Sequence, residues 1–229
     1  MNILLSQTGL VSLQINNVLG GFGLFILGIT FLGDGLKEVA GPKIRDYIEK
    51  YTSNTVMAII VGALITGLIQ SSSAATVISI SLVRAGLMSL KQAIGIAIGA
   101  NIGTTITSIM VGLKIDQFAL YFVFVGAILF VAASRKRIKD IAFVLFAFGI
   151  TFLGLTMMGE ELALLQNYKI FNDFIEFMSL NPWLALIGGT FATAIINSSS
   201  AFIAIVQKIY AGGGIDLTVV VALVLGSNI

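Results

Sequence analysis

Residues 70–74 read Gln-Ser-Ser-Ser-Ala and residues 197–201 read Asn-Ser-Ser-Ser-Ala, in a chain that is otherwise strongly apolar. The two stretches are 127 positions apart (197 minus 70), and the same offset carries residues 99–102, Gly-Ala-Asn-Ile, onto residues 226–229, Gly-Ser-Asn-Ile. Two pairs of polar motifs at one spacing indicate an internal duplication. Because polar residues are costly inside apolar segments, duplicated ones predict a binding site at the interface of two repeats, as in transporter cores.

Composition predicts an integral membrane protein. Of the 229 residues, 57% are hydrophobic and 10% are charged, and the mean hydropathy is +1.03. These values exclude the soluble globular classes. The chain has neither cysteine nor histidine, which removes disulfides, thiolate chemistry and the usual transition-metal ligand. Without histidine, and with no lysine in either serine motif, an intramembrane serine enzyme has no base to activate its nucleophile, so we expect no enzyme.

Charged residues predict the topology around the first motif. A short basic loop at residues 135–139 should be cytoplasmic by the positive-inside rule, and a second basic cluster at residues 37–50 should lie on the same side. Tracing the apolar runs between them places both ends of residues 55–83 on that side. Two full spans need roughly 20 residues each, so this stretch predicts a re-entrant hairpin of two half-length helices. Its tip would be the serine triplet.

A second pair of similar segments predicts that the repeats are inverted. Residues 24–33 resemble residues 145–154. The first run leads to the basic cluster expected inside, whereas the second leads to an acidic segment at residues 160–176 expected outside. An inverted-topology duplication follows, with the N-terminus outside. Between opening helix and hairpin, each repeat carries an amphipathic piece, residues 39–51 and 162–178, that we expect to lie in the membrane interface.

We therefore predict an all-α membrane protein with inverted repeats, re-entrant hairpins and broken helices. Residues 1–229 form one transmembrane domain in this prediction. Its divisions are repeat 1 at residues 20–113 with a hairpin at 55–83, a connecting transmembrane helix and basic cytoplasmic loop at 114–140, and repeat 2 at 141–229 with a hairpin at 182–210. Repeat 2 is expected to be incomplete at its C-terminal end.

The hairpin tips have the chemistry of an ion site. A helix ending at a tip presents carbonyl oxygens, a helix starting there presents N–H groups, and serine hydroxyls can donate or accept. Two tips meeting near the bilayer midplane would bind an anion and a small hard cation together. The substrate-binding candidates are Gln70, Ser71, Ser72, Ser73, Asn197, Ser198, Ser199 and Ser200.

Further oxygen-bearing side chains near the tips predict cation ligands. Residues 99–105 read as another helix break, and two threonines precede the tips by one turn at the 127-residue offset. The candidates are Thr66, Gln70, Asn101, Thr104, Thr105, Thr193, Asn197 and Asn228. Because residues 54–113 contain no Asp or Glu and only two basic residues flanking the hairpin, a bound oxyanion would need co-bound cations as counter-ions. The alternative interpretation, small-residue packing, suits one serine triplet better than two.

These motifs resemble the type II sodium–phosphate cotransporter family, in particular its bacterial members, over about residues 20–229. The resemblance implies transport of inorganic phosphate coupled to Na+, no other cofactor, the lipid bilayer and no nucleic acid as partner, and a bacterial inner (plasma) membrane. A homodimer stays open. The sequence departs from the family at Asn197, where the family usually has Gln, and at its end, where the family continues with Gly-Thr-Thr and further helices.

Two functions are consistent with this sequence. The first is sodium-coupled secondary transport of phosphate by alternating access, with substrate and Na+ between the two tips. The second is a non-transporting membrane module, that is, a half-transporter, a dimeric assembly unit or a phosphate sensor. The unmatched end of repeat 2 is the feature that favours the second.

Overall fold

The computed structural model describes residues 13–40, 43–113 and 115–229, and within them every regular element is helical. This confirms the predicted all-α class. The helices are α1 (Ile15–Ala40), α2 (Lys43–Tyr51), α3 (Thr55–Ile69), α4 (Ser72–Arg84), α5 (Leu90–Gly112), α6 (Ala119–Ala132), α7 (Lys136–Leu162), α8 (Lys169–Leu180), α9 (Pro182–Ile196), α10 (Ser199–Ala211) and α11 (Leu217–Gly226), with 3-10 helices at Ile115–Phe118 and Ala163–Asn167.

Four helical segments are long and apolar enough to cross a membrane. They are α1, α5, the segment Ile115–Ala132 that contains α6, and the segment Lys136–Asn167 that contains α7. A fifth is reached if α8 and α9, which are bent by 111° at their junction, count as one broken span. The remaining apolar helices α3, α4, α10 and α11 are shorter. These lengths agree with an integral membrane protein.

The helix boundaries of the two halves recur at the 127-residue offset. Helices α3 and α4 occupy the positions that α9 and α10 occupy 127 residues later, and α5 begins at Leu90 as α11 begins at Leu217. The turns after α4 and α10 each contain a glycine with a left-handed backbone, Gly86 (φ 73°) and Gly213 (φ 80°). The orientation of the halves across a membrane stays a prediction.

A close backbone contact between α3 and α5 recurs between α9 and α11. A Cβ built on Gly99 would lie 2.0 Å from the carbonyl oxygen of Ile59, and one built on Gly226 would lie 1.9 Å from that of Leu186. Both members of the second pair lie 127 positions after those of the first. Only glycine allows backbones to approach this closely, so matched glycines hold both helix pairs together.

The predicted helix break at residues 99–105 is wrong. Helix α5 runs without interruption from Leu90 to Gly112. The glycines of this stretch provide close contact with α3 and leave the backbone helical: a Cβ on Gly103 would lie 2.4 Å from the carbonyl oxygen of Ala63. Small-residue packing, the alternative interpretation, is therefore the right one for this segment.

One contact between the two halves lies where α1 crosses α7. A Cβ on Gly21 would lie 2.7 Å from the carbonyl oxygen of Gly154, and one on Gly154 would lie 2.5 Å from that of Gly21. Glu161, near the end of α7, is buried and accepts hydrogen bonds from the backbone N–H of Gln14 (2.8 Å) and the side-chain amide of Asn17 (2.9 Å). A carboxylate is favourable there, because the start of α1 carries the positive end of the helix dipole.

Helix α8 presents three different faces. Ile175 and Met178 pack into the protein, and Lys169 pairs with Asp173 at 2.8 Å on an exposed face. Between these faces, Ile170 and Phe174 are exposed. A helix with buried, apolar and charged stripes suits the boundary between lipid and water, and this placement of α8 remains a prediction.

Candidate functional site

Helices α3 and α9 end in the same left-handed turn. Gln70 has φ 53° and ψ 29°, and Asn197 has φ 55° and ψ 29°. Each backbone N–H donates to a threonine carbonyl one turn back, Thr66 or Thr193, at 2.7 Å. Asparagine adopts this conformation readily, whereas glutamine does so at some steric cost. The two residues that begin the polar motifs are therefore the residues that end the two helices.

The next residue of each motif begins the following helix. The hydroxyl oxygen of Ser71 accepts from the backbone N–H of Ala74, and that of Ser198 accepts from the N–H of Ala201, both at 3.2 Å. This is N-capping, for which serine is well suited. The other N–H groups of a first helical turn have no partner within their helix. Each motif thus combines a helix end, a cap and a helix start within four residues.

Both motifs line one cavity of about 410 Å³. All eight predicted substrate-binding residues are among its lining residues, and the described residues that line it carry no charge. The lining residues are Gln70, Ser71, Ser72, Ser73, Thr190, Thr193, Ala194, Asn197, Ser198, Ser199, Ser200, Gly226, Ser227 and Ile229. Hydroxyl groups, N–H groups and helix-end carbonyls therefore converge on a space large enough for a tetrahedral oxyanion and small cations.

Hydrogen bonds hold both polar atoms of the Gln70 side-chain amide. The side-chain oxygen Oε1 of Gln70 accepts a hydrogen bond from the Thr107 hydroxyl of α5, and its side-chain nitrogen Nε2 donates to the backbone carbonyl of Gly67. Among the described residues the Asn197 side chain has no such partner. Sequence reasoning missed Thr107, although it follows Thr104 by one helical turn and so shares its face of α5. The first tip is thus braced by α5.

Two buried hydroxyl groups near the tips lack hydrogen-bond partners among the described residues. They are the Oγ1 atoms of Thr66 and Thr193, which lie at matched positions one turn before each tip. Leaving such a group unsatisfied costs about 1–3 kcal/mol. Two orphaned oxygens in equivalent places are consistent with a ligand that the protein atoms do not supply, either a cation or water.

Of the predicted cation ligands, Gln70, Thr193 and Asn197 line this cavity, whereas Thr66 and the remaining four lie outside its lining. Thr104 and Thr105 hydroxyls bond to carbonyls of their own helix at 3.0 and 2.7 Å, and the Asn228 amide donates to the Val224 carbonyl at 2.9 Å. Asn101 lines a neighbouring groove of about 490 Å³.

Two lining residues with polar side chains were not predicted. Thr190 reaches the Gly226 carbonyl at 3.0 Å, and the Ser227 hydroxyl donates to the Val224 carbonyl at 2.7 Å. Neither residue was indicated by the repeat, because the positions 127 residues earlier in the first half are both alanines. Each can add an oxygen to the cavity wall.

Comparison with known proteins gives a family match over nearly the whole described chain. The model described as Na+/Pi-cotransporter matches residues 24–160 and 162–229. The uncharacterized protein YqeW of Bacillus subtilis is 33% identical over 205 residues, which cover 90% of this chain and 66% of YqeW. The rat sodium-dependent phosphate transport protein 2A is 38% identical over 112 residues, covering 48% of this chain and 17% of that protein.

A further relative is YjbB of Escherichia coli (strain K12), whose name proposes inorganic phosphate export. It is 26% identical over 220 residues, which cover 95% of this chain and 40% of YjbB. The chain thus spans between two-fifths and two-thirds of these bacterial relatives. No solved structure matches the chain significantly.

Proposed function

This chain belongs to the Na+/Pi-cotransporter family, and from that premise we propose that it moves inorganic phosphate across a membrane together with sodium ions. The observation that carries the proposal is the single cavity lined by both serine motifs. Phosphate would lie between the tips, where it accepts hydrogen bonds from serine hydroxyls and from N–H groups at the starts of α4 and α10. Such helix starts are favourable anion sites.

The lining of the cavity makes cation coupling a physical requirement of this proposal. A phosphate dianion buried among uncharged groups would lack a counter-ion, and burying an uncompensated charge is very unfavourable. Sodium ions bound beside the phosphate would supply the opposite charge. Removing sodium should therefore weaken phosphate binding itself, and with it transport.

The orphaned threonine hydroxyls support the placement of sodium. Thr66 and Thr193 offer buried oxygens one turn before the tips, and the carbonyls at the ends of α3 and α9 carry the negative end of each helix dipole. Discontinuous helices in secondary transporters use such carbonyl ends for coupling cations. In this proposal each tip holds cations on its α3 or α9 side and phosphate on its α4 or α10 side.

Helix lengths are consistent with hairpins that enter from opposite faces. Helices α3 and α9 have 15 residues each, or about 22 Å at 1.5 Å per residue. Placed end to end at the shared cavity, they would together span about 40–45 Å, the full thickness of a bilayer with its headgroups. The proposed topology keeps the basic loop at residues 135–139 in the cytoplasm and the N-terminus outside, in the plasma membrane of a bacterium.

A phosphate sensor or half-transporter is the second candidate. Both candidates need the same binding site, but only the transporter exposes that site alternately to the two sides of the membrane. Sodium-dependent uptake of phosphate into proteoliposomes would separate them.

Calorimetry on the purified protein tests the binding site. We expect phosphate to bind in sodium buffer and to bind at least about tenfold more weakly when choline replaces sodium, a difference of about 1.4 kcal/mol. Sulfate at the same concentration serves as the control anion. Equal phosphate affinity in both buffers would contradict cation coupling, and no binding to the folded protein in either buffer would contradict the proposed site.

A further inference from the structure

Helix α10 is fastened to the rest of the fold at the end away from its serine motif. The Lys208 ammonium lies 2.7 Å from a carboxylate oxygen of Asp116, in the 3-10 helix that follows α5. The two side chains are 18% and 24% exposed, against 75% and 67% for Lys136 and Glu38. Among the described residues Lys208–Asp116 is the least exposed ion pair. A shielded pair constrains its helices more than an exposed one does.

Two further contacts surround this ion pair. The Gln207 amide nitrogen donates to the backbone carbonyl of Ser108 in α5 at 3.2 Å. The aliphatic part of Lys208 lies against Gly159 of α7, where a Cβ would be only 3.1 Å from the lysine Cδ. The end of α10 is thus attached to α5, to the 3-10 helix and to α7 at once. We call Asp116, Lys208 and Gln207 the α10 latch.

The matched helix α4 has no such attachment. The positions 127 residues before Gln207 and Lys208 are Ile80 and Ser81. Ile80 is 45% exposed, and the Ser81 hydroxyl bonds to the Val77 carbonyl of its own helix. Within the part of the chain that the structure describes, no side chain of α4 makes a hydrogen bond or ion pair to another helix. The lysine and glutamine of the latch thus have no chargeable counterpart at the matched positions of α4, which hold an isoleucine and a serine.

We propose that the α10 latch closes one of the two routes between the tip cavity and water, and that its release opens that route. This rests on the proposed transport function, and it deepens that function by assigning a gate to the second half. Lys208 lies nine residues beyond Ser199, or about 13 Å along α10, so the latch acts at a distance from the cavity and touches no substrate. When α10 moves away, water can hydrate both charges, which limits the energetic cost of opening.

The chain's lack of cysteine allows a direct test. Ala204 lies one turn before Lys208, is fully buried, and belongs to the apolar cluster that also contains Val111 of α5. An Ala204→Cys thiol is therefore protected while α10 lies on α5. Ala185→Cys is the matched control, because Ala185 is equally buried but belongs to a different apolar cluster, which contains Val219 and Ala222 of α11.

The measurement is the rate at which a water-soluble maleimide labels each thiol in lipid nanodiscs. Asp116→Asn should raise the labelling rate at Ala204→Cys by about tenfold, because it should shift the equilibrium toward the open state by about that factor. The labelling rate at Ala185→Cys should stay unchanged. Lys208→Gln should act alike, and the charge reversal Asp116→Lys with Lys208→Asp should restore protection. Lys169→Gln, which breaks an exposed ion pair, should have no effect.

Three results would overturn the latch. The first is an unchanged labelling rate at Ala204→Cys when Asp116→Asn is introduced. The second is an equal rise at both thiols, which would show general loosening of the fold. The third is a rise of the same size when Lys169→Gln is introduced. None of these readouts requires transport. If the labelling rates differ as expected but phosphate does not bind in a sodium-dependent way, the proposed function is contradicted. The role of the latch in holding α10 would then still stand.

Discussion

At the scale of single residues, serines of the two tips and serines of the helices have different surroundings. Ser72 and Ser199 line the shared cavity, whereas Ser79 is buried in α4 and bonds to the Thr76 carbonyl at 2.7 Å. Hydrogen bonds to a charged group contribute about 1.5–3 kcal/mol. We expect Ser72→Ala and Ser199→Ala to weaken phosphate binding by about 10- to 100-fold, measured by calorimetry in sodium buffer.

Ser79→Ala is the matched control for this prediction, because it removes the same atom from the same hairpin without touching the cavity. It should change phosphate affinity by less than about threefold, under 1 kcal/mol. Similar losses in all three variants would show that the tip serines serve helix packing and do not contact substrate. Thermal melting of each variant in detergent separates lost binding from lost fold.

At the scale of the helix pair, glycine decides how closely α5 approaches α3. Gly99 faces the Ile59 carbonyl with no room for a Cβ, while Gly112 of the same helix has nothing within 4 Å. We expect Gly99→Ala to destabilise the protein by about 1–3 kcal/mol through overpacking. Gly112→Ala should be neutral or slightly stabilising, because alanine is the better helix former. Melting temperatures in one detergent would measure both.

Gly226→Ala extends this prediction to the second half, where the same contact is made with Leu186. It should destabilise the protein by an amount similar to that of Gly99→Ala, since the two contacts are equivalent. If Gly112→Ala were as harmful as the other two, intrinsic helix effects and not the contact between helices would be responsible. The 127-residue spacing predicts that Gly99 and Gly226 occupy equivalent positions. It does not predict what they do there, because a helix break and a close packing contact both favour glycine.

At the scale of the whole molecule, the placement of the second hairpin in the membrane can be measured with the single tryptophan. Trp183 is 76% exposed and lies at the start of α9, beside the bend from α8. If α8 lies at the interface and α9 enters the bilayer, lipids brominated near the headgroup should quench Trp183 more than deeply brominated lipids. Trp183→Phe with Phe191→Trp moves the reporter about 12 Å along α9, and deep bromines should then quench more.

Equal depths for the two tryptophans would contradict a hairpin that enters the membrane, because α9 would then lie along its surface. Phe191 is a suitable position, since it is also strongly exposed and needs no repacking.

The sequence by itself determined the helical class, the membrane setting, the 127-residue repeat and the boundaries of both tips. These features depend on local signals: apolar composition over long runs, a serine that caps the helix following it, and a polar residue that ends the helix before it. The helix pairs α3–α4 and α9–α10 cover the residues of the two predicted hairpins, and their re-entrant course through a membrane stays a prediction. The match of polar residues between the halves added the candidate site.

Only the tertiary structure decided which of these residues meet. Helix packing brings the two tips to one cavity while leaving Asn101 in a neighbouring groove, and it keeps α5 continuous where glycine suggested a break. It also joins Lys208 to Asp116 across 92 positions of the chain. Such contacts depend on how distant helices are rotated and stacked against one another, and no local pattern of residues specifies that arrangement.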